Sequence, residues 1–499
     1  MRTLPRYVLT WLLLSLTVSA AQAADRPNIV MIFTDDQRAD AVGYTGNQAV
    51  STPHLDRLAK RGVVFNNCFV NTSICAVSRA NLLAGQYPGR HGIDDFFKTF
   101  SARQLRDTVP GRLQRAGYQT AFFGKWGIGD RPDATHQGAA VFDYWAGQPM
   151  QTNFFYEPDC RFVNFDGFAR PLDDLCDCPA DSKGRVGFRN RIGKANLKDP
   201  IQADSTVVPM KVEQFLDGRD PDKPFCMMLF FKGPHSPFGD WDPAVEHVTD
   251  NLNMPVPSSA TVPLAQREPN FIRKSLGAPS GMRYLNHPSA LDQHLRDYYR
   301  LISSLDLGVG RVMEALEARG LAENTVVLFT SDNGHFKGEH GLAGKWLMYE
   351  PSLRVPGFIY DPRAEAETGG TVSTRPVITT DFSVTMLSLA GLDIPDSMTG
   401  LDLTRLAEDP NAAGWRQDVF YDHPYGHGGA IPTTVGVRTP RYSYIRYTDQ
   451  TPVYEQVFDL QEDPNQLNNL IDSADPELIR SLRARCDELM KQVGPMANR

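Results

Sequence analysis

Short, continuous apolar runs alternate with helix-like segments along most of the chain. Four runs are typical of strands buried on both faces, at residues 28–33, 119–123, 225–231 and 325–329. Helical spacing of apolar positions is predicted at residues 54–61, 104–116, 292–319 and 382–390. This alternation indicates βαβ units, and therefore a mostly parallel sheet flanked by helices.

Two stretches and the last fifth of the chain have a different character. Residues 144–211 are rich in Gly, Asp and Arg, and residues 236–288 contain many prolines, so both are predicted to be irregular insertions. Beyond residue 391 the pattern changes to short strands, such as 434–437 and 442–447, and a closing helix at 476–492. We therefore predict two folded units. A large α/β domain with a mixed, mostly parallel sheet covers residues 24–390, and a smaller α+β domain with an antiparallel sheet covers residues 391–499.

The N-terminus has the order of features found in secretory signal peptides. Arg2 and Arg6 precede an apolar stretch at residues 8–18, and Ala21-Gln22-Ala23 supplies the small residues of a cleavage site. The alternative is a buried N-terminal helix. The pattern favours a signal peptide at residues 1–23 and export to the periplasm or the extracellular space. No later run of about 18 apolar residues predicts a membrane span.

Composition and charge exclude several classes of protein. The chain has 499 residues, of which 41% are apolar and 22% charged, and these proportions are not those of disordered, collagen-like or coiled-coil chains. Its formal net charge is -8, and no basic run or basic half stands out. Nucleic acid is therefore not expected as a partner.

Candidate metal ligands follow two of the predicted strands. Asp35 and Asp36 come after the first strand, and Asp332 and Asn333 come after the strand at 325–329. The carboxyl ends of parallel strands meet at one edge of a sheet, where α/β proteins bind their ligands. Three carboxylates and an amide oxygen suit Ca²⁺ or Mg²⁺. Asp-Asn-Gly is also a common turn sequence, which leaves a purely structural role open for each pair alone.

Cationic and nucleophilic side chains are predicted near the same edge. One strand runs into Lys125, and another runs into the segment 232–235, which ends in His235. Cys75 lies just ahead of a predicted helix N-terminus, and Arg79 lies one turn further on. The helix dipole and a planar guanidinium would both favour an anion there. A buried structural cysteine is the equally weighted alternative.

At this point the sequence resembles the type I sulfatases of the alkaline phosphatase superfamily. The segment from Cys75 to Arg79, followed by Leu83-Ala84-Gly85-Gln86-Tyr87, is similar to the family signature. Further ordered motifs carry the resemblance along most of the chain: 28–38, 52–56, 124–126, 234–237, 332–349 and 458–470.

The resemblance implies both a modification and a metal. Cys75 would be oxidised to formylglycine by a maturation enzyme. One hydroxyl of its hydrate would attack a sulfate ester, for which a sulfated carbohydrate is expected, and the other would expel sulfate. Ca²⁺ is implied in preference to Mg²⁺. The implied metal ligands are Asp35, Asp36, Asp332, Asn333 and the modified Cys75.

The resemblance also implies catalytic roles for other side chains. Arg79 would orient the formylglycine, and Lys125 and Lys345 would bind the sulfate oxygens. His235 would donate a hydrogen bond or a proton to the leaving oxygen. Three further histidines are candidate substrate contacts, with a structural role as the alternative: His335, His340 and His427.

Two positions differ from the family pattern. Val77 stands where most members have Pro or Ala, and Gly127 stands where many members have a histidine. Two other functions remain beside the sulfatase. One is a phosphoric or phosphonic ester hydrolase on the same scaffold, since sulfate and phosphate esters share tetrahedral geometry. The other, which Val77 keeps open, is a non-catalytic binder of sulfated glycans with an unconverted Cys75.

Overall fold

The computed structural model describes residues 26–129, 137–148, 152–168, 199–364 and 369–494. The predicted signal peptide lies outside these residues. Across the described ranges, no helix is both long enough and apolar enough to cross a membrane.

The described residues form strands β1 to β18. In chain order they are β1 (Asn28–Thr34), β2 (Val63–Phe65), β3 (Cys68–Phe69), β4 (Gln119–Lys125), β5 (Tyr144–Gln148), β6 (Phe155–Tyr156), β7 (Ile201–Gln202), β8 (Phe225–Phe230), β9 (Thr325–Ser331), β10 (Phe336–Lys337), β11 (Ala343–Gly344), β12 (Gly357–Tyr360), β13 (Thr371–Ser373), β14 (Val377–Ile378), β15 (Val419–His423), β16 (Thr434–Arg438), β17 (Tyr442–Tyr447) and β18 (Tyr454–Asp459).

The α-helices are numbered α1 to α15 in the same way. They are α1 (Pro53–Arg61), α2 (Cys75–Ala84), α3 (Pro88–His91), α4 (Ala102–Asp107), α5 (Val109–Arg115), α6 (Arg161–Asn164), α7 (Val208–Gly218), α8 (Val262–Ala265), α9 (Asn270–Arg273), α10 (Ala278–Asn286), α11 (Pro288–Ala318), α12 (Glu350–Leu353), α13 (Thr379–Leu389), α14 (Thr404–Glu408) and α15 (Pro476–Val493). A π-helix, Ala203–Val207, leads directly into α7.

The large sheet has eight strands in the order β13-β2-β12-β9-β1-β8-β4-β5. β1 lies near its centre and pairs in parallel with β8 and β9. Only β12 runs antiparallel to its neighbours β2 and β9 within this sheet. The prediction of a mixed, mostly parallel sheet is confirmed.

Helices cover both faces of this sheet because its central strands are apolar on both sides. On β1, Ile29 and Phe33 point into one core, and Val30 and Ile32 point into the other. The second core is closed by α1, α7 and α11, and the first contains residues of α2 and α13. A continuous apolar strand can be stable only in such a two-sided environment.

The C-terminal strands form a separate antiparallel sheet in the order β15-β16-β17-β18. Helix α15 packs against β15 and β16. The predicted antiparallel sheet and the closing helix are therefore confirmed. Side chains of both sheets meet in one core, since Tyr421 and Val437 belong to the same cluster as Phe33.

Three secondary-structure predictions were wrong, one of them for the stretch 236–288, which was expected to be irregular but contains α8, α9 and α10. The helix expected at residues 104–116 is two helices, because Thr108 is extended and Pro110 lies in the first turn of α5. The segment from residue 144 was expected to be irregular, yet Tyr144–Gln148 is a fully buried edge strand paired in parallel with β4. Its aromatic and glycine residues do not alternate in polarity, so the strand has no periodic signal.

Candidate active site

The ends of four adjacent parallel strands bring the predicted polar residues together. Thr34 at the end of β1 pairs with Ser331 at the end of β9, so the residues that follow each strand emerge side by side. Strands β8 and β4 lie on the other side of β1 and end at the same height in the sheet, with Gly124 paired with Phe230. The carboxylates, the amide, the lysine and the histidine of the sequence prediction therefore lie at one edge of the sheet.

Asp36 is the meeting point of the loops after β1 and β9. Its backbone N–H donates to Asp332 Oδ1 at 3.2 Å, and its Oδ1 accepts a hydrogen bond from Asn333 Nδ2 at 2.6 Å. Asp36 has a φ of 69°, in the left-handed region that few non-glycine residues adopt. Such strain is retained where surrounding contacts hold a side chain in one direction, and it is common at functional sites.

The donor set fits a hard divalent cation. Asp35, Asp36 and His235 each offer a ligand atom within 4.8 Å of the others, and all three residues are buried. Asp35 Oδ1 and Asn333 Oδ1 are also buried, and neither accepts a hydrogen bond. Buried polar atoms without hydrogen bonds are rare and need an explanation. Oxygen atoms from carboxylates and an amide are the ligands that Ca²⁺ and Mg²⁺ prefer.

Arg79 ties the strand loops to helix α2. Its side chain is fully buried, and Nε donates to Asp332 Oδ2 at 3.1 Å while Nη2 donates to Asp35 Oδ2 at 3.3 Å. Nη1 donates to the backbone oxygen of Lys125 at 2.6 Å. A planar guanidinium holds its donors in a rigid fork, whereas a lysine ammonium is a compact point charge on a flexible stem. Arg79 therefore holds α2, β1, β4 and β9 in one arrangement.

Cys75 is the first residue of α2 and is only 1% exposed. Its Sγ lies close enough to Arg79 and Lys345 to interact with both charges. The unpaired amide groups of a helix N-terminus favour negative charge at this position. The structure thus brings Cys75 into the cluster formed by the strand ends.

Two lysines complete the charged cluster. Lys125 Nζ donates to Asp35 Oδ2, and both side chains are fully buried. Lys345, in the segment after β11, donates to Asp36 Oδ1 at 2.5 Å and lies 3.6 Å from Asp35 Oδ1. Burial lowers the pKa of Lys345, but Asp36 and the other neighbouring negative groups together outweigh it and keep the pKa above its usual value. Lys345 is therefore a cation.

The carboxylates respond differently to the same surroundings. Burial would raise the pKa of Asp35, but Lys125 and the other neighbouring cations hold it well below its usual value. Burial and the negative charge of Asp35 raise the pKa of Asp332 to about 7. Crowding of carboxylates in a buried site is relieved by a bound cation, which is consistent with the ligand geometry.

His235 borders the cluster on the loop after β8. Its Nε2 lies 3.8 Å from Asp36 Oδ2, and its Nδ1 donates to the backbone oxygen of Ser236 at 2.9 Å. Burial lowers the pKa of His235 to about 3. The neutral ring thus carries its proton on Nδ1 and directs Nε2 toward the carboxylates.

The three weaker histidine candidates lie in different surroundings. His335 is buried, and burial together with Lys337 and Lys345 holds its pKa well below the usual value. The His340 ring stacks on Tyr349 at 4.1 Å, and its Nδ1 is 2.6 Å from Glu268 Oε1. His427 is exposed, and its Nδ1 is bonded to the Tyr425 hydroxyl at 2.7 Å. His335 thus interacts with Lys345 of the cluster.

The two positions that differ from the sulfatase pattern are Val77 and Gly127, and Gly127 adjoins the cluster. Val77 is buried in the first turn of α2. Gly127 has a φ of +72°, and a Cβ there would lie 3.1 Å from Arg79 Cδ and 3.3 Å from Lys125 Cε. These side chains thus occupy the space in which a larger residue at position 127 would begin.

Sequence reasoning missed two buried residues that support the site. The Tyr298 hydroxyl, from α11, donates to the backbone oxygen of Asp36 at 2.7 Å. Asp204, in the π-helix, accepts hydrogen bonds from the backbone of Lys232 and Gly233. A buried tyrosine needs a partner for its hydroxyl, which is a weak signal for Tyr298. No local pattern marks Asp204, which falls in a segment predicted to be irregular.

Comparison with known proteins extends along most of the chain. A family model described as Sulfatase matches residues 27–392, and one described as N-sulphoglucosamine sulphohydrolase, C-terminal, matches residues 338–492. An N-acetylglucosamine-6-O-sulfatase of Bacteroides thetaiotaomicron is 28% identical over 514 aligned positions, covering 90% of this chain and 83% of the relative. An arylsulfatase of Clostridium perfringens is 30% identical, covering 90% of this chain and 91% of the relative.

A solved structure of a protein with its substrate D-glucosamine-2-N,6-O-disulfate has a similar fold. The TM-score is 0.74 at 25% sequence identity, covering 95% of this chain and all of the other. The likeness therefore extends over nearly the whole of this chain.

Proposed function

The chain belongs to the sulfatase family, whose members hydrolyse sulfate esters, and from that premise we propose that it acts on a sulfated carbohydrate. Two similarities support this substrate class. One relative is named as an N-acetylglucosamine-6-O-sulfatase, and the similar solved structure holds a disulfated glucosamine.

The balance of buried charge is the observation that carries the proposal. The cluster holds three cations and three carboxylates: Arg79, Lys125, Lys345, Asp35, Asp36 and Asp332. With Asp332 ionised these charges cancel, so a divalent cation would leave the site with a net charge of about +2 in a buried setting. Such a site favours an anionic ester and the charge that develops on its sulfuryl oxygens.

The metal in this proposal is Ca²⁺, held by Asp35, Asp36, Asp332 and Asn333 together with the modified Cys75. When bound, it would supply a Lewis-acid charge that lowers the energy of developing negative charge. The buried oxygens of Asp35 and Asn333 that accept no hydrogen bond support this ligand set. Asn333 can bind through Oδ1 because its Nδ2 is already used by Asp36 and the backbone oxygen of Gly334.

Formylglycine at position 75 is part of the same proposal. Cys75 and Val77 are both buried in α2, so a maturation enzyme must reach them before this helix packs. The nearby guanidinium of Arg79 would then orient the modified side chain, since three hydrogen bonds already fix its plane.

The remaining residues have roles that follow from their charge and direction. Lys125 and Lys345 would bind the sulfuryl oxygens, because their ammonium groups flank the carboxylates on two sides. His235 would donate a proton from Nε2 to the departing sugar oxygen as the imidazolium, having taken up a second proton beside the anionic ester while Nδ1–H stays bonded to the Ser236 carbonyl. His335, beside Lys345, is the best placed of the weaker candidates to contact substrate.

We also propose export to the periplasm or the extracellular space, supported by the pattern of residues 1–23. Processing is tested by N-terminal sequencing of protein from the native host. An N-terminus after Ala23 is expected, and a retained Met1 on the mature protein would contradict it.

Mass spectrometry of the tryptic peptide 62–79 tests the chemistry. This peptide contains both Cys68 and Cys75, so Cys68 is an internal control. An aldehyde or its hydrate at Cys75 alone is expected in protein from the native host. An intact thiol at Cys75 would refute the formylglycine proposal and favour a non-catalytic binder. Turnover of the sulfate and phosphate esters of one aryl alcohol then separates a sulfatase from a phosphoric ester hydrolase.

A further inference from the structure

Asp204 is a buried carboxylate that binds the loop carrying His235. It is 2% exposed and lies in the π-helix before α7. Its Oδ1 accepts the backbone N–H of Lys232 at 3.2 Å, and its Oδ2 accepts that of Gly233 at 2.8 Å. Hydrogen bonds to a charged acceptor are stronger than those between neutral groups. One side chain therefore holds both amide groups at the start of this loop.

The same turn connects Asp204 to the reacting centre. The backbone oxygen of Gly233 accepts the N–H of Asp35 at 3.0 Å, and the N–H of His235 donates to the backbone oxygen of Lys232 at 3.0 Å. A Cβ on Gly233 would lie only 2.8 Å from Asp204 Oδ2. The turn is therefore packed directly on the carboxylate.

Asp204 is itself held by the protein core. Helix α11 passes so close that a Cβ on Gly308 would lie 2.1 Å from the backbone oxygen of Asp204. The carboxylate is thus a rigid support rather than a mobile surface group. Short π-helical segments are often found where a functional site needs such a local adjustment.

We propose that Asp204 is a positioning residue that sets the place of the His235 ring beside the leaving oxygen. The inference rests on the proposed function, in which His235 supplies a proton to the departing alcohol. A sugar alkoxide is a poor leaving group and needs that proton, whereas a nitrophenolate leaves readily without it. Misplacing His235 should therefore slow sugar sulfates selectively.

Asp204→Asn is the main test. Its Oδ1 can accept one of the two N–H groups, but its amide nitrogen would face the other donor. We expect kcat/KM for a glucosamine 6-O-sulfate to fall about 100-fold, mainly through kcat, since a displacement of about 1 Å has an effect of that order. For 4-nitrophenyl sulfate we expect a loss of less than about threefold, because that ester needs no proton from His235.

Asp306→Asn is the matched control. Asp306 on α11 is 1% exposed and also accepts two backbone N–H groups, those of His54 at 3.1 Å and Leu55 at 2.8 Å. Neither donor belongs to the site. We expect Asp306→Asn to change kcat/KM for the two esters by the same factor.

Gly233→Ala is the second test, because its Cβ would push the same turn away from Asp204. It should show the same selective loss, even if Asp204→Asn fails to fold. If the wild-type protein is active but the variants lose equal activity on both esters, or if Asp306→Asn shows the same selective loss, the inference about Asp204 is overturned. The proposed function would stand in either case. If the wild-type protein hydrolysed neither ester, the proposed function would fail, and the inference would fall with it.

Discussion

Replacing Gly127 by alanine tests the packing that holds the two central cations. A Cβ at this position would lie 3.1 Å from Arg79 Cδ and 3.3 Å from Lys125 Cε. Neither side chain can move away easily, because Arg79 binds Asp35 and Asp332, and Lys125 binds Asp35. The variant therefore has to displace an ion pair or strain its own backbone.

Two physical costs contribute to the expected loss of stability. Gly127 has a φ of +72°, and the left-handed conformation costs an alanine about 1–2 kcal/mol. Forcing an extra methyl group into a packed site costs about a further 1–3 kcal/mol. The free energy of unfolding should therefore fall by about 2–5 kcal/mol. Displacement of the cations should lower kcat/KM by about tenfold or more.

Gly117→Ala separates the two costs. Gly117 has a φ of +91°, but a Cβ there would meet no atom within 4 Å. Urea unfolding with Ca²⁺ present, and turnover of an aryl sulfate, should be measured for both variants. The difference in unfolding free energy, about 1–3 kcal/mol, then measures crowding at position 127 alone. Equal unfolding curves and equal turnover in the two variants would refute the reasoning.

The same packing predicts the effect of introducing a histidine. Gly127→His would restore the residue that many sulfatases carry, but its larger side chain begins in the same occupied space. We expect lower activity than in Gly127→Ala. Higher activity than in the wild type would show that Arg79 and Lys125 can repack.

Three further predictions concern the metal, the guanidinium and a buried histidine. Removing divalent cations with EDTA should abolish turnover and lower the unfolding temperature, and added Ca²⁺ should restore both. An ion at 100 times its Kd stabilises the folded protein by about 2.7 kcal/mol. An unchanged unfolding temperature would contradict the metal site. Arg79→Met should lower the free energy of unfolding by about 3–5 kcal/mol, because buried Asp332 loses its ion-pair partner, while Asp35 loses one partner and keeps Lys125 and Lys345. A loss of less than about 1 kcal/mol in urea unfolding would argue against this. Burial lowers the pKa of His91 to about 3, so below pH 6.5 the unfolded chain binds a proton that the folded protein does not. The free energy of unfolding should therefore fall by up to about 1.4 kcal/mol per pH unit as the pH falls from about 6.5 toward 3. His91→Gln should make this decrease shallower, and an unchanged slope would exclude His91 as its source.

Much of the secondary structure followed from local pattern. The strands predicted at 28–33 and 325–329 are β1 and β9, each extended by one or two residues. A strand buried on both faces needs a continuous apolar run, and a helix buried along one stripe needs apolar residues every three or four positions. Both patterns are visible within a short segment of sequence. The same logic located Asp35 and Asp332, since polar residues directly after such strands must lie at the sheet edge.

Local pattern failed where a single conformation breaks an otherwise regular segment. The helix predicted at 104–116 is divided at Thr108, whose backbone is extended. Pro110 was the local signal for this break, since a proline inside a helical pattern ends or kinks the helix. β5 was missed because its pairing with β4, rather than its own residues, makes it a strand. Propensity is a weak guide when tertiary contacts decide the outcome.

The sequence by itself determined the fold class, the family and the set of chemically able residues, since each depends on residue order within short segments. Only the tertiary structure decided which charges meet. Arg79 pairs with Asp332 across 253 positions of the chain, and Asp204 supports the loop of His235 from a different element. Such contacts depend on how packed layers align in space, and burial then makes each pairing strong because little water remains to screen it.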